Sequence, residues 1–198
     1  MFSPDSKFMQ VLGRITDLIL LNLLFLITCL PVFTIGASVT ALYSISFRLM
    51  REEYNGIVKP YFKAFRDNFK PATAAFSILL LAAVPAVYYL TQTTSLKGIL
   101  FILIITIALM AGSYAFPWIS QFENSAIQSL KNALFLSVSH LPRTAAILAI
   151  NLMPVIVWIL NFDLFVQISF LWISLYFAAA AYMNTGLLWH VFKPYRQQ

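Results

Sequence analysis

The sequence predicts an all-α fold: a polytopic transmembrane helical bundle of six helices, with short amphipathic cytoplasmic interfacial helices. Of its 198 residues, 61% are apolar and only 10% are charged. Five long runs also contain no Asp, Glu, Lys or Arg: 18–47, 71–96, 98–122, 144–162 and 164–192. A helix crosses the bilayer core with about 20 apolar residues, so these runs are long enough to span a membrane. We expect one transmembrane domain over residues 1–198.

The first run is longer than a single span and is interrupted near its middle. Pro31 lacks a backbone N–H and Gly36 frees the backbone, so the stretch between them predicts a turn. We place the first span at about 15–33. The second, at about 36–50, is shorter than a usual span, so a re-entrant segment is an alternative to a full crossing.

The other runs predict four further spans. They lie at about 72–91, 98–119, 143–161 and 164–190. Basic residues concentrate within 48–70, whereas the turns around Lys97 and Asp163 hold few, and the positive-inside rule therefore places 48–70 in the cytoplasm. The pattern predicts a multi-pass protein of the cell membrane with both termini cytoplasmic. Five crossings with an outside N-terminus are the alternative.

A basic amphipathic helix is predicted at about 59–70. Its basic side chains recur at helical spacing beside a stripe of Phe side chains: Lys59, Lys63, Arg66 and Lys70. Such a helix typically lies on the membrane surface and binds anionic lipid. Docking of a cytoplasmic partner is the alternative function. A second, less basic interfacial helix is predicted at about 124–140.

No pattern in the sequence predicts catalysis, a metal site or a cofactor. His140 and His190 lack an obvious cluster of Cys or carboxylate residues, and no phosphate-binding glycine loop is present. The five charge-free runs hold no acidic residue, which argues against a self-driven, ion-coupled transporter. We therefore expect no enzyme activity. The net charge of +6 fits a bilayer partner better than nucleic acid.

Polar residues within the spans are candidates for intramembrane contacts. They are Asp17, Asn22, Asn151 and Asn184. Asp17 follows Arg14 by about one helical turn, so these two predict an ion pair on one helix face. The three Asn residues predict hydrogen bonds between helices, with a polar pathway as the alternative.

A cluster of small residues follows the predicted turn. Its candidate contact residues are Gly36, Ser38, Thr40, Ala41 and Ser44. Small side chains let helices approach closely, so the cluster predicts tight helix packing. Packing within the chain is the default interpretation, and a helix of another protein is the alternative neighbour.

Two parts of the sequence resemble a known family. The first reads Asp17-Leu18-x-x-Leu21-Asn22-Leu23-Leu24-Phe25, then Leu30-Pro31-Val32-x-Thr34-Ile35-Gly36-Ala37-Ser38-x-Thr40-Ala41-Leu42-Tyr43; the second reads Phe65-Arg66-Asp67-Asn68-Phe69-Lys70. The pattern is similar to the YesL-like family of small Gram-positive membrane proteins, a domain of unknown function. The resemblance implies an association with carbohydrate ABC importers.

The resemblance suggests a non-enzymatic accessory subunit of an oligosaccharide ABC importer. The chain would pack against the permease subunits, and indirectly serve the ATPase, through the small-residue cluster and the 59–70 helix. The alternatives are a permease, an independent small transporter, or a membrane sensor and regulatory module. The segment from Glu123 to Pro142 is similar in length to the ATPase-gripping motif of permeases, but it has Ser129 where that motif has Gly.

Overall fold

The computed structural model describes residues 7–53, 56–92 and 97–196, and every regular element within these ranges is helical. The α-helices are α1 (Lys7–Cys29), α2 (Ile35–Met50), α3 (Val58–Asp67), α4 (Phe69–Gln92), α5 (Lys97–Ile119), α6 (Ala126–Ser139), α7 (Leu141–Leu160), α8 (Phe162–Gln167), α9 (Ser169–Leu171) and α10 (Phe177–Phe192). A 3-10 turn at Val32–Thr34 precedes α2, a π-helical turn at Trp172–Tyr176 joins α9 to α10, and a 3-10 turn at Lys193–Arg196 follows. The prediction of an all-α bundle is confirmed for the described residues.

Within the described ranges, six helical stretches are long and apolar enough to cross a membrane. They are Val11–Cys29, Val32–Met50, Phe69–Thr91, Gly98–Ile119, Leu141–Leu160 and Ser169–Tyr195. Many of their large apolar side chains are exposed on the outside of the bundle, where only a bilayer would shield them from water. The chain is therefore a multi-pass membrane protein.

The last of these stretches begins at Ser169, later than the predicted start near 164. The Asn161 side chain accepts a hydrogen bond from the Leu164 N–H at 2.9 Å and caps the separate short helix α8. Helix α8 ends before Ile168, whose φ of −96° and ψ of 12° depart from helical values. A helix cap and a bend therefore separate this short helix from the span.

Helix α2 lies at the centre of the bundle. Of the most apolar part of Val32–Met50, 67% is buried, compared with 33% or less for the other five stretches. Helices α1, α3, α4, α5 and α10 all pack against it. Its short side chains allow this arrangement because they let several neighbours approach one helix axis.

The closest approach is at Gly36, in the first turn of α2. A Cβ atom at this position would lie 2.4 Å from the backbone oxygen of Ala72 and 2.7 Å from the Cβ of Phe76. Real Cβ atoms do not tolerate such distances, so any larger residue would push α4 away from α2. Glycine is required here for the close approach of two backbones.

Three buried hydroxyl groups of α2 donate hydrogen bonds to backbone carbonyls one turn earlier. Each donates to the carbonyl four residues earlier: Ser38, Thr40 and Ser46, at 3.0, 2.9 and 2.9 Å. An unpaired hydroxyl in an apolar environment costs about 1–3 kcal/mol in protein mutational data. These local bonds therefore help small polar side chains to lie inside the bundle.

The two ends of α2 contact neighbouring helices at the same end of the bundle. At its start, Gly36 touches Ala72 in the first turn of α4. At its end, the Phe47 ring lies 5.9 Å from that of Phe192, which lies 5.3 Å from the Trp118 ring near the end of α5. The start of α4 and the end of α5 border one surface pocket, so they lie at the same end of the bundle. The start and the end of α2 therefore both have neighbours at this end of the bundle.

The close contact predicts that Gly36→Ala destabilises the protein although alanine is the better helix former. Overpacking a tight contact typically costs about 1–3 kcal/mol, so we expect a lower midpoint of thermal unfolding in detergent. Gly13→Ala is the matched control, because a Cβ at Gly13 meets nothing within 4 Å. The control should equal or exceed the wild-type midpoint, and equal losses in both variants would contradict the close contact.

Candidate functional site

Asn22 joins α1 to the π-helical turn of the last span. Its amide nitrogen donates to the carbonyl of Ile173 at 2.6 Å, and its Oδ1 accepts from the N–H of Ala178 at 3.0 Å. These two backbone groups are five residues apart, the separation that a π-helix joins by one hydrogen bond. The buried Asn22 side chain bonds to both groups in place of that single hydrogen bond. The contact with α1 therefore accounts for the widened π-helical turn.

Asn184, Tyr43 and Asn151 form a second polar contact, which joins α10, α2 and α7. The amide nitrogen of Asn184 donates to the Tyr43 hydroxyl at 3.2 Å and to Asn151 Oδ1 at 2.7 Å. Asn184 and Tyr43 are buried, whereas Asn151 is exposed at the middle of α7. The structure therefore brings two of the predicted polar residues together and leaves one of them at the surface.

Asn151 borders a crevice of about 350 Å³ between α5 and α7. Its buried lining residues include four from α2 and α10: Leu42, Tyr43, Ala180 and Ala181. Its rim includes Ala108 and Leu109 from α5 and Leu152 from α7. The two rim helices meet near the start of α7, where the Thr144 hydroxyl lies 3.0 Å from that of Tyr114. The crevice is thus held open between packed helices.

Two other hydroxyl groups of the crevice already have partners within the chain. The Ser113 hydroxyl donates to the carbonyl of Leu109 at 2.8 Å, and the Tyr176 hydroxyl donates to the carbonyl of Ile150. Most of the remaining lining side chains are aliphatic or aromatic. The crevice therefore offers an apolar surface with one accessible carboxamide, that of Asn151.

The predicted basic helix at 59–70 is divided in two. Helix α3 ends at Asp67, and α4 begins at Phe69, so Lys70 belongs to α4. The break lies at Asn68, whose φ of −98° and ψ of 5° close the last turn of α3. The basic side chains are all exposed, as a surface helix requires: Lys59, Lys63, Arg66 and Lys70.

The small-residue cluster does not offer a contact surface. Four of its members are buried inside the chain's own bundle, and the fifth, Ser44, is partly buried. The buried members are Gly36, Ser38, Thr40 and Ala41. The structure therefore corrects the alternative that another protein's helix docks on this cluster. The cluster packs within the chain, because α2 is enclosed by five neighbouring helices.

Arg14 and Asp17 lie in the first half of α1. The Arg14 guanidinium donates to the carbonyl of Leu49 at 2.5 Å and lies 5.9 Å from the centre of the Tyr182 ring. Asp17 is partly buried one turn farther along α1. Arg14 thereby ties α1 to the end of α2 and to the first half of α10.

The predicted interfacial helix at 124–140 corresponds to α6, which packs against α5 and α4. The Ser125 hydroxyl caps its start by accepting a hydrogen bond from the Gln128 N–H at 3.3 Å. Its inner face is buried through Ala133 and Leu136, whereas Phe135 remains exposed. Helix α6 is therefore an integral part of the bundle.

Potential metal ligands do not cluster in the described part of the chain. Among the residues that the structure describes, no group of three or more His, Cys, Asp or Glu is close enough to hold a metal ion. His140 and His190 therefore belong to no such group.

Residues 18–90 match the family described as "Protein of unknown function, DUF624". The matched segment includes α2, α3, most of α4 and the second half of α1, and the other three helices all pack against α2. No curated protein and no solved structure matches the chain. The comparison therefore agrees with the region of strongest resemblance in the sequence and assigns no activity.

Three tyrosines that join helices were not predicted from the sequence. Tyr43 completes the contact with Asn184, Tyr114 meets Thr144, and Tyr61 meets α1. A signal was present, because the hydroxyl of a buried tyrosine usually needs a hydrogen-bond partner. Tyr43 and Tyr114 both lie inside charge-free runs, where water cannot supply that partner.

The Asn22 contact predicts a measurable loss of stability in Asn22→Leu. The substitution leaves the Ile173 carbonyl and the Ala178 N–H without their side-chain partner. Interhelical hydrogen bonds in membranes contribute about 0.6–2 kcal/mol, so the free energy of unfolding should fall by a similar amount. Leu23→Ala is the control, since Leu23 is exposed on the same helix. A variant at position 22 as stable as wild type would contradict this role.

Proposed function

We propose that this chain is a non-enzymatic accessory subunit that packs against a transmembrane helix of a larger membrane complex through the α5–α7 crevice. The observation that carries the proposal is the exposed side chain of Asn151 at the middle of α7. In the bilayer core, water does not reach such a group. Intramembrane polar residues usually face another helix or a cavity, so Asn151 marks a face that a partner covers.

The shape of the crevice suits a helix better than a sugar. Its rim carries Ala108 and Gly112, small residues that let a neighbouring helix approach. A sugar would need many polar partners, whereas the Ser113 and Tyr176 hydroxyls are occupied by backbone carbonyls. An apolar crevice with one carboxamide therefore favours the accessory subunit over an independent transporter.

The sequence resemblance suggests which complex the chain joins. Residues 18–90 match a family of unknown function, and the same region resembles the YesL-like family, which is associated with carbohydrate ABC importers. We infer that the partner is a permease subunit of an oligosaccharide importer in the cell membrane of a Gram-positive bacterium. The positive-inside rule favours a cytoplasmic position for the basic residues of 48–70.

Affinity purification of the tagged chain from native membranes in mild detergent tests this proposal. We expect the permease subunits to co-purify with it, accompanied by the ATPase. Ala108→Phe fills the crevice and should lower their recovery roughly tenfold, a loss of about 1.4 kcal/mol in binding. Asn151→Leu should lower recovery in the same direction, because it removes the exposed carboxamide.

Ala82→Phe is the matched control, since Ala82 is exposed on α4 and does not line the crevice. It introduces the same side chain and should leave recovery unchanged. Recovery of the wild-type chain without any other membrane protein would count against an accessory subunit. Equal losses with Ala82→Phe and Ala108→Phe would count against the crevice as the contact.

A further inference from the structure

A second concave surface lies at the elbow between α3 and α4. It has a volume of about 1050 Å³ and is lined by the basic residues of the α3–α4 segment, the exposed Phe62 and the partly buried Phe65 and Phe69. We propose that this elbow groove binds one anionic phospholipid, with the phosphate between Lys63 and Arg66 and an acyl chain along Phe62. The proposal does not depend on which complex the chain joins.

The charge of the groove matches an anionic headgroup. Its basic lining residues are Lys59, Lys63, Arg66 and Lys70. None of them forms an ion pair with another residue that the structure describes, and Asp67 is the one acidic residue of the lining. A phosphodiester accepts charge-assisted hydrogen bonds from Lys and Arg, so it would satisfy donors that the chain leaves unused.

The apolar part of the groove matches an acyl chain. Val58 and Phe62 are 43% and 47% exposed, although each lies beside the cationic side chains. The rings of Phe65 and Phe69, 5.6 Å apart, continue this surface from α3 into α4. A phospholipid carries a phosphate and an acyl chain in one molecule, and this groove presents cations and apolar side chains side by side.

The position of the groove beside the start of a span fits the level of phospholipid phosphates. The membrane-spanning stretch of α4 begins at Phe69, directly after the α3–α4 break. Helix α3 therefore lies at the boundary between the hydrocarbon and water. Basic side chains at this level attract anionic lipid, whereas an acidic protein segment would leave the aromatic surface uncovered.

Hydrogen bonds fix α3 against α1 and stabilise the elbow. Tyr61 of α3 is fully buried, and its hydroxyl lies 2.6 Å from the hydroxyl of Thr28. The Thr28 hydroxyl donates to the carbonyl of Leu24 at 2.9 Å, so Tyr61 is the donor in the bond between them. At the elbow, the Asn68 amide nitrogen donates to the carbonyl of Ala64 at 2.9 Å.

Burial raises the pKa of Tyr61, and its bond to Thr28 opposes this effect only in part. The hydroxyl therefore stays protonated at physiological pH and remains a donor. Because α3 is fixed on α1 and α2 in this way, the basic side chains point from a preformed surface, and lipid binding does not require the helix to fold.

Native mass spectrometry of the full chain from nanodiscs tests the proposal. The nanodiscs contain equal amounts of phosphatidylglycerol, which is anionic, and phosphatidylcholine, which is zwitterionic. We expect one phosphatidylglycerol to be retained in clear preference to phosphatidylcholine. The double variant Lys63→Gln/Arg66→Gln should lower this preference at least about tenfold, since each basic residue near an anionic headgroup contributes about fivefold.

The control double variant is Lys131→Gln/Lys193→Gln, which changes the net charge equally at exposed positions outside the groove. It should retain the wild-type preference. Phe62→Ala should also weaken retention, whereas Phe135→Ala, on an exposed face of α6, should not. Equal retention of both lipids by the wild type would overturn the proposal and would point to an acidic segment of a partner protein. Equal effects of the two double variants would overturn it as well.

Discussion

The backbone contact between Gly36 and Ala72 is the constraint on which the rest of the structure depends. With a Cβ excluded at Gly36, the start of α4 lies directly against the start of α2. Helix α2 can then lie at the centre of the bundle, where three of its hydroxyls donate to backbone carbonyls one turn earlier. The same contact fixes where α4 begins, and therefore where the α3–α4 elbow meets the membrane surface.

The polar groups of the spans divide into two kinds. Asn22 is buried and both of its polar atoms are bonded to the last span, so it holds the bundle together. Asn151 has the same side chain but is exposed at the middle of α7. The bilayer core supplies no water to either group, and every polar group there must find a partner in protein. Asn151 also bonds to Asn184, but the exposure of its side chain makes it a candidate docking residue.

Much of the fold could be predicted from the charge-free runs and the spacing of the basic residues. They predicted the all-α bundle and the exposed basic helix because both depend on local composition and periodicity. The break at Asn68 had no such signal, since charge periodicity runs through it without interruption. The π-helical turn could not be predicted either, because it depends on Asn22, which is 151 residues away from its carbonyl partner.

The candidate sites were harder to predict than the fold for a physical reason. A small-residue cluster looks the same in sequence whether its neighbour is the same chain or another protein, and only the burial of Gly36 and Ser38 decides. The crevice requires α5 and α7 to meet at Tyr114 and Thr144 and to enclose a space farther along. Such a surface is a property of several helices together, and no single segment encodes it.

Site-specific photocross-linking in native membranes tests the docking face most directly. A photoreactive amino acid at Leu152 would lie in the crevice, and one at Ile159 would lie on an exposed face of the same helix. The account predicts a covalent adduct between position 152 and another membrane protein, with little or none from position 159. Cross-linking of position 152 to lipid alone, or equal protein adducts from both positions, would contradict it.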